Sequence, residues 1–411
     1  MRHTFILTLL LIAVLYSNAS ILTVGKGKPI YSIKQAIHLA QPFDTILITA
    51  GTYKEGNIII DKTLYIKGIN YPVLDGERKC EILSIKSSST VINGLTITHS
   101  GYATLDDPGA IKVYDARNVS IINNRILDNF FGIYLQFSKN CLIQNNTIIA
   151  YGTSEEKIGN GIHCWKSDSI QIIANNISGH RDGIYFEFVT ASVIWRNTST
   201  KNIRYGLHFM FSNNDSYISN VFKHNGSGVA VMFTHNVKMF NNWFIENWGD
   251  ATYGLLLKEI SDSYLFNNRF IGNTMGIYME GTNRITISNG VFENNGWGMK
   301  IQASCMDNRI EYNNFIGNTF DVSTNGSLVL NTFTQNYWDK YTGYDLDKNN
   351  IGDVPYHPLS LFSVIVETNG PVMILYQSLF ALLLDQSEKV MPSLTPDNFI
   401  DLEPYMHALN L

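Results

Sequence analysis

Charge is scarce in this chain. Of 411 residues only 16% are Asp, Glu, Lys or Arg, the formal net charge is −5, and no long run of one sign occurs. The clustered Lys/Arg footprint of a nucleic-acid binder is therefore absent, and no nucleic-acid partner is expected. Prolines number 10 and cysteines 4. Cys80, Cys141, Cys164 and Cys305 lie far apart with no Cys-x-x-Cys. That spacing permits a disulfide outside the cytoplasm without demanding one, and buried free thiols are the expectation. Beyond the first 19 residues there is no run of 18 apolar residues, which excludes a membrane-spanning helix from the mature chain. Apolar and aromatic side chains are plentiful, at 45% and 12%, and rule out wholesale disorder. There are also 43 Asn and 31 Gly. Such a mixture suggests short strands separated by tight turns.

The first residues read as a secretory leader, spanning 1–19. Met1-Arg2-His3 is a basic start, Thr4 to Tyr16 is apolar, and Ser17-Asn18-Ala19 offers small residues before Ser20. Export is therefore expected. The longest later apolar stretch, Pro371 to Leu384, is interrupted by Gln377 and Ser378 and suits a buried or docking helix.

The dominant signal is repetition. Gly132-Ile-Tyr-Leu-Gln recurs as Gly161-Ile-His-Cys-Trp, Gly183-Ile-Tyr-Phe-Glu, Gly206-Leu-His-Phe-Met and Gly228-Val-Ala-Val-Met, then at Gly254, Gly276 and Gly298, with an earlier copy at Ala110. Successive steps are 22, 29, 22, 23, 22, 26, 22 and 22. Asn-Asn keeps phase with it, at 123–124, 145–146, 175–176, 241–242, 267–268 and 313–314. Strand side chains alternate with period two, and positions one and three after each Gly are apolar, so they point inward. A 22-residue unit cannot bury that face alone, whereas stacked copies about 4.8 Å apart can. Three short strands fit one turn, with Asn and Gly at left-handed corners and Asn amides stacked in ladders. The expected fold is all-β: a right-handed parallel β-helix over residues 20–338. A propeller blade would need about 40 residues. The leucine-rich-repeat frame is not seen.

Such a rod needs capped ends. Ser32-Ile33-Lys34-Gln35 reads as a capping box opening a short helix, with Ile33, Ala36, Ile37 and Ala40 on one face. Strands are predicted at 45–49, 57–60 and 64–67. Asn336-Tyr337-Trp338 closes the last coil, residues 339–358 form an acidic, Asx-rich loop, and 359–411 is a separate tail.

Positions two and four after each Gly face outward, and stacking aligns them between coils. His163 and Trp165 then lie over Tyr185 and Glu187, these over His208 and Met210, and these over Ala230 and Met232, with Met239 and His235 nearby. Thioether plus imidazole is a set that favours Cu(I). His208, Met210, Met232, His163 and His235 are therefore candidate copper ligands. The same strip, with Tyr185, Glu187, Phe211 and Trp165, also suits a protein contact, since Met and aromatics are enriched there. Asp345, Asp347, Asn349 and Asp353 imitate the oxygen spacing of a calcium loop, although Asn350 and Tyr356 stand where Gly and Glu are wanted; a plain Asx-rich turn is the alternative. A polysaccharide-modifying enzyme would draw on Asp106-Asp107, His180-Arg181-Asp182 and Arg204-Tyr205, and Asp107-Pro108 is weakly like the Asp-Pro of alginate epimerases. A surface adhesin is a further alternative.

Arg-Tyr-Gly-Leu-His-Phe-Met-Phe-Ser-Asn-Asn-Asp at 204–215 resembles the strand motif of the NosD family, periplasmic maturation proteins of nitrous oxide reductase. Tyr253 to Leu257 is similar to that family's next strand, Asn336 to Pro358 to its closing segment, and Leu383 to Met406 to its C-terminal region. The resemblance implies a non-enzymatic, periplasmic assembly platform for the copper–sulfide centre of nitrous oxide reductase. It implies attachment, through the tail after Leu359, to a membrane permease with a cytoplasmic ATPase partner. A copper chaperone lipoprotein and the apo-reductase would be the other partners.

Overall fold

The computed structural model describes residues 19–102, 107–326, 330–391 and 399–411. The leader expected at 1–19 falls, but for its last residue, outside them. The chain winds as a parallel β-helix of about fourteen turns with three strands per turn. It forms sheet 1 of 12 strands, sheet 2 of 14 and sheet 3 of 13, every neighbour three strands away in sequence except the first pair of sheet 2, whose strands are consecutive. Parallel crossovers of this kind are right-handed. Strands appear at Thr45–Ile48, Ile58–Ile60 and Tyr65–Gly68, within a residue of their predicted places.

Inward side chains stack in register. In sheet 1, Ile133, Ile162, Ile184, Leu207, Val229, Leu255 and Ile277 sit one above the next and are fully buried. The column in sheet 3 changes character along the rod. Ile126, Ile148 and Ile177 give way, after Ser199, to Phe222, Phe244, Phe270, Phe292, Phe315 and Trp338. From Phe244 to Trp338 these rings stack with centroids 4.6, 4.8, 4.6 and 4.2 Å apart. Trp338 closes the last coil, as expected.

Two corner expectations need correction. The repeated Gly residues do not take left-handed φ; they stand where coils touch, and a Cβ on Gly228 would overlap the Gly254 carbonyl oxygen. The left-handed seats before the asparagine ladder go to Asn123, Asn145, Ala174, Arg196, Ser219, Asn241, Asn267 and Tyr312. The ladder residues are the ones that follow: Asn124, 146, 175, 197, 220, 242 and 268, then Asn313 and Asn336. Asn146 Oδ1, for example, accepts from both Asn124 N (2.9 Å) and Asn124 Nδ2 (3.1 Å). A second ladder, not anticipated, runs Asn202, 225, 247, 273, 295 and 318.

The ends are capped as the composition requires. Helix α1 (Ile33–Leu39) lies over the first coil with Ile33, Ala36 and Ile37 buried. Ser32 Oγ accepts from Gln35 N, but Glu55 from the next coil supplies the second half of the cap, accepting from Ile33 N at 2.7 Å and Lys34 N at 3.0 Å. Lys62 Nζ closes the opposite terminus on the carbonyls of Ile37, His38 and Ala40, at 3.0, 3.0 and 2.9 Å.

The tail splits into two parts. Leu359 bridges Val322 in the last coil, and α2 (Leu361–Thr368) sets Phe362 and Val366 against Phe320. A 3₁₀ turn (Gly370–Leu375) and α3 (Leu379–Val390) instead hold Ile374, Leu379, Phe380, Leu382 and Leu383 in solvent, so Pro371 to Leu384 is not a buried helix. No described helix is long and apolar enough to cross a membrane. Residues 399–411 return along the rod. Phe399 is buried, and Asp401 accepts from Gln335 N, Asn336 N, Asn336 Nδ2 and Trp338 Nε1, all at 3.0–3.1 Å. All four cysteines are free; three are buried and Cys80 is half-buried.

Asp401 is thus the acceptor on which the first ladder ends. Replacing it with Ala leaves four donors unsatisfied, each costing about 1–3 kcal/mol. Hydrogen exchange should show the Gln335 and Asn336 amides of Asp401→Ala opening at least about 100-fold faster, with coils before Asn220 unchanged; uniform protection would refute the capping role.

Candidate functional site

One face of the rod differs from the others. The coil steps of 29 and 26 arise from insertions at 151–160 and 246–252, and the described residues 99–102 and 107–108 belong to a third long connection. All three lie at the same corner, between a sheet 3 strand and the following sheet 1 strand. They form a rim carrying exposed Tyr102, Tyr151 and Trp248. At the opposite corner of sheet 1 stand Phe137, Phe188, Phe211 and Phe233, each at φ between +51° and +54°. Left-handed φ is costly for bulky side chains. Stacking offsets it: Phe188, Phe211 and Phe233 lie nearly parallel at 5.2 and 5.1 Å, while Phe137 meets Trp165 edge-on at 4.8 Å. Between rim and ridge runs the outward face of sheet 1.

Register confirms the alignment of the outward columns. Tyr134, His163, Tyr185, His208 and Ala230 pair in succession, as do Gln136, Trp165, Glu187, Met210, Met232 and Lys258. Outward is not exposed, however. His163 and His208 are only 8% and 6% accessible, and the Nε2 of each is buried without a hydrogen-bond partner. His163 stacks on Tyr134 at 4.3 Å and meets Tyr185 edge-on at 4.8 Å. Burial, with Arg181 nearby, pushes its pKa down to about 3, so it is neutral. His208 lies between Tyr185 and Tyr205, both at 4.9 Å. Its Nδ1 faces Arg204 Nη2 at 3.2 Å and Asp182 Oδ2 at 3.6 Å.

Asp182 is fully buried and gripped by Arg204 through Nε–Oδ1 at 3.0 Å and Nη2–Oδ2 at 2.6 Å. Burial opposes its charge, but the bonds to His208 and Arg204 outweigh it and hold the carboxyl below its usual range. The sequence separated Asp182 and Arg204 from His208 into different candidate sets; a 22-residue offset between the first two was the signal that one coil places them side by side.

The half-exposed donors are the thioethers. Met210 and Met232 are direct register partners, and Met210 shares its strand and outward face with His208. His163 is two strand spacings from His208, roughly 9.5 Å, with Tyr185 between, too far to share an ion with it. His235 is exposed beyond the left-handed turn at Phe233, and Met239 is a core residue of sheet 2. Among the described residues, no three His, Cys, Asp or Glu side chains gather as a metal site. The donor set that fits a soft ion is therefore the thioether pair. Glu187 and Trp165 flank it in the same column, and Phe211 lies on the ridge beside it.

The calcium pattern folds on itself. Asp345 accepts from the Asn349 and Asn350 amides at 3.2 and 2.8 Å, Asp347 from Asn349 N and Nδ2 at 3.2 and 2.9 Å, Asn349 from Ile351 N at 2.7 Å, and Asp353 from Leu346 N at 2.6 Å. Its oxygens serve Asx turns, and calcium gains no support from them. Asp106 lies outside the described residues. His180 is buried at the head of the second ladder, donating its backbone N–H to Asn202 Oδ1.

Stacked coils with one loop-rimmed face define the right-handed β-helix class. A family model for the right-handed β-helix region matches residues 53–154, and one described as the periplasmic copper-binding protein NosD matches residues 150–344. Over that stretch the chain is similar to the NosD family. It is 27% identical over 380 residues to the "Probable ABC transporter binding protein NosD" of Pseudomonas aeruginosa, covering 87% of each. It is 25% identical over 332 residues to the protein so named from Stutzerimonas stutzeri, covering 76% of this chain and 75% of that one. Both are named as binding proteins. Solved structures share the fold alone. They include a mannuronic acid-specific family 6 lyase from human gut microbiota (TM-score 0.55, 11% identity, 78% and 86% coverage). The family 28 exopolygalacturonase of Yersinia enterocolitica is another (TM-score 0.54, 12%, 77% and 78%).

Asp215, the last residue of the 204–215 motif, sits in a corner column where Ser192 N donates to its Oδ1 at 2.8 Å and its Oδ2 is buried without a partner. Burial raises its pKa to about 8. An unfolded Asp loses its proton near pH 4, so the native state binds more protons across that window, and stability falls as pH rises from about 4 to about 8. Asn308 occupies the same column further along and sends Nδ2 to Thr282 O at 2.7 Å, so an amide fits there. Urea unfolding of Asp215→Asn should match the parent at pH 4 and exceed it at pH 8 by several kcal/mol; equal stability at both pH values would refute the buried proton.

Proposed function

We propose that this chain is an exported, periplasmic and non-enzymatic component of an ABC-transporter-linked machinery that handles copper for the copper–sulfide centre of nitrous oxide reductase. The observation that carries the reading is the half-exposed Met210–Met232 pair, of which Met210 lies inside the motif shared with the family, set between a loop rim and an aromatic ridge. Copper is cargo here. Two thioethers a strand apart give a soft, uncharged pair that selects Cu(I) over harder ions. His208, two residues away, would join only if local opening freed its sealed Nε2. The ridge of Phe188, Phe211 and Phe233, with Trp165 and Phe137, offers the docking surface for a copper chaperone and the apo-reductase. The apolar side of the 370–384 segment, held in solvent on an otherwise capped end, is the surface that meets the permease, whose ATPase partner works in the cytoplasm.

Of the residues a polysaccharide-modifying enzyme would draw on, Asp182, Arg204 and Tyr205 come together beside His208, while His180 lies apart at the head of the second ladder. The Asp182 carboxylate is spent on Arg204 and Tyr205 N, and the His208 Nε2 faces no solvent. Neither is placed to touch a sugar in the groove.

Ag(I), a redox-inert stand-in for Cu(I), should bind the mature chain, and Met210→Leu with Met232→Leu should weaken it by more than about 100-fold. Unchanged binding in that variant, with unchanged chaperone docking in His208→Ala/Met210→Ala, would strip the face of both roles. Charging the tail with Leu379→Glu and Leu383→Glu should abolish co-purification with the permease while leaving Ag(I) binding intact; retained co-purification would move the docking surface elsewhere.

A further inference from the structure

Met210 does not present a free thioether. Tyr185, one coil earlier, directs its hydroxyl at Met210 Sδ over 3.7 Å. The two residues occupy different outward columns, so this bond reaches diagonally across the strands, from position two of one coil to position four of the next. Its donor is held firmly. The Tyr185 ring lies edge-on to His163 at 4.8 Å and tilted against His208 at 4.9 Å, its two register partners. Those imidazoles are nearly buried and leave the phenol little freedom to swing. A thioether sulfur is a weak acceptor, and the lone pair that takes a hydrogen bond is one that a soft cation would use.

We propose that Tyr185 detunes the thioether pair: its O–H must release Met210 Sδ before a soft ion is bound, so cargo is held loosely enough to be passed on. The inference rests on reading Met210 and Met232 as the soft-metal site. The exchange balances without further reagents. The O–H···S hydrogen bond breaks, a metal–sulfur bond forms, the phenol keeps its proton and turns to water, and the metal keeps its oxidation state. Transfer onward reverses these events, with the returning hydroxyl helping to expel the ion.

The test uses the full mature chain and Ag(I) alone as the probe, titrated against a competing chelator. Tyr185→Phe keeps the ring between the two imidazoles and removes only the O–H. Its Ag(I) affinity should rise about three- to tenfold, the worth of one hydrogen bond. With methyl-labelled methionine, the Met210 methyl resonance of the metal-free protein should shift in this variant while that of Met232 stays. Tyr185→Leu, which also loses the ring contacts, separates packing from hydrogen bonding. If Tyr185→Phe binds no tighter than the parent while Met210→Leu with Met232→Leu abolishes binding, the detuning role is wrong and the thioether site stands. A gain in Tyr185→Leu without one in Tyr185→Phe also overturns it. If the parent and the double methionine variant titrate alike, the thioether site itself falls, and the inference with it.

Discussion

A ladder asparagine with asparagines on both sides accepts two protons from the coil before it, on one oxygen, and passes its own two amide protons onward and back. Asn220 Oδ1 takes Asn197 N at 2.8 Å and Asn197 Nδ2 at 3.1 Å, while Asn220 Nδ2 reaches both Asn242 Oδ1 and the Ile194 carbonyl. This arrangement satisfies buried corner amides that the sheets cannot reach, where an unpaired group costs about 1–3 kcal/mol. It also sets the vertical registry. Extra chain is accommodated beside the ladder without breaking it: Asn247, at the start of the 246–252 insertion, still accepts from Asn225 N at 3.0 Å and donates its own N–H to Asn273 Oδ1 at 3.1 Å.

The face between rim and ridge follows from the same constraint. With coils locked in register, one side chain per coil falls on each line, and the chemistry of a column is the chemistry of every twenty-second residue or so. Met210 meets Met232, Glu187 meets Met210, and Phe188, Phe211 and Phe233 pile up at a corner where each alone would be strained. The aromatic column inside sheet 3 is the buried counterpart, starting at Phe222 in the same coil as the 204–215 motif.

Much of the fold was legible because the period was. A step of 22 in five of eight intervals leaves little choice once a unit that small must find neighbours for its apolar face. The register of Met210 with Met232 follows directly. Burial of His163 and His208 was not legible, since alternation tells which side of a strand a residue takes and nothing about what covers that side. The insertions were visible as irregular steps, but a step gives length and not the corner that absorbs it. Paired asparagines were ambiguous by one residue: in 175–176 and 313–314 the ladder uses the first, with Ala174 and Tyr312 in the left-handed seats. The union of Asp401 with Asn336 spans 65 residues of chain with no pattern to announce it.

That union has a consequence for biogenesis. The ladder points one way: apart from Asn268, which faces Gly290, its members take acceptors supplied by a later part of the polypeptide, and the last is Asp401. Coils therefore accumulate during synthesis as a growing stack whose leading edge always lacks a partner, and only the final stretch terminates the relay. A product cut short before Asp401 would leave the Asn336 backbone and side-chain amides without that acceptor.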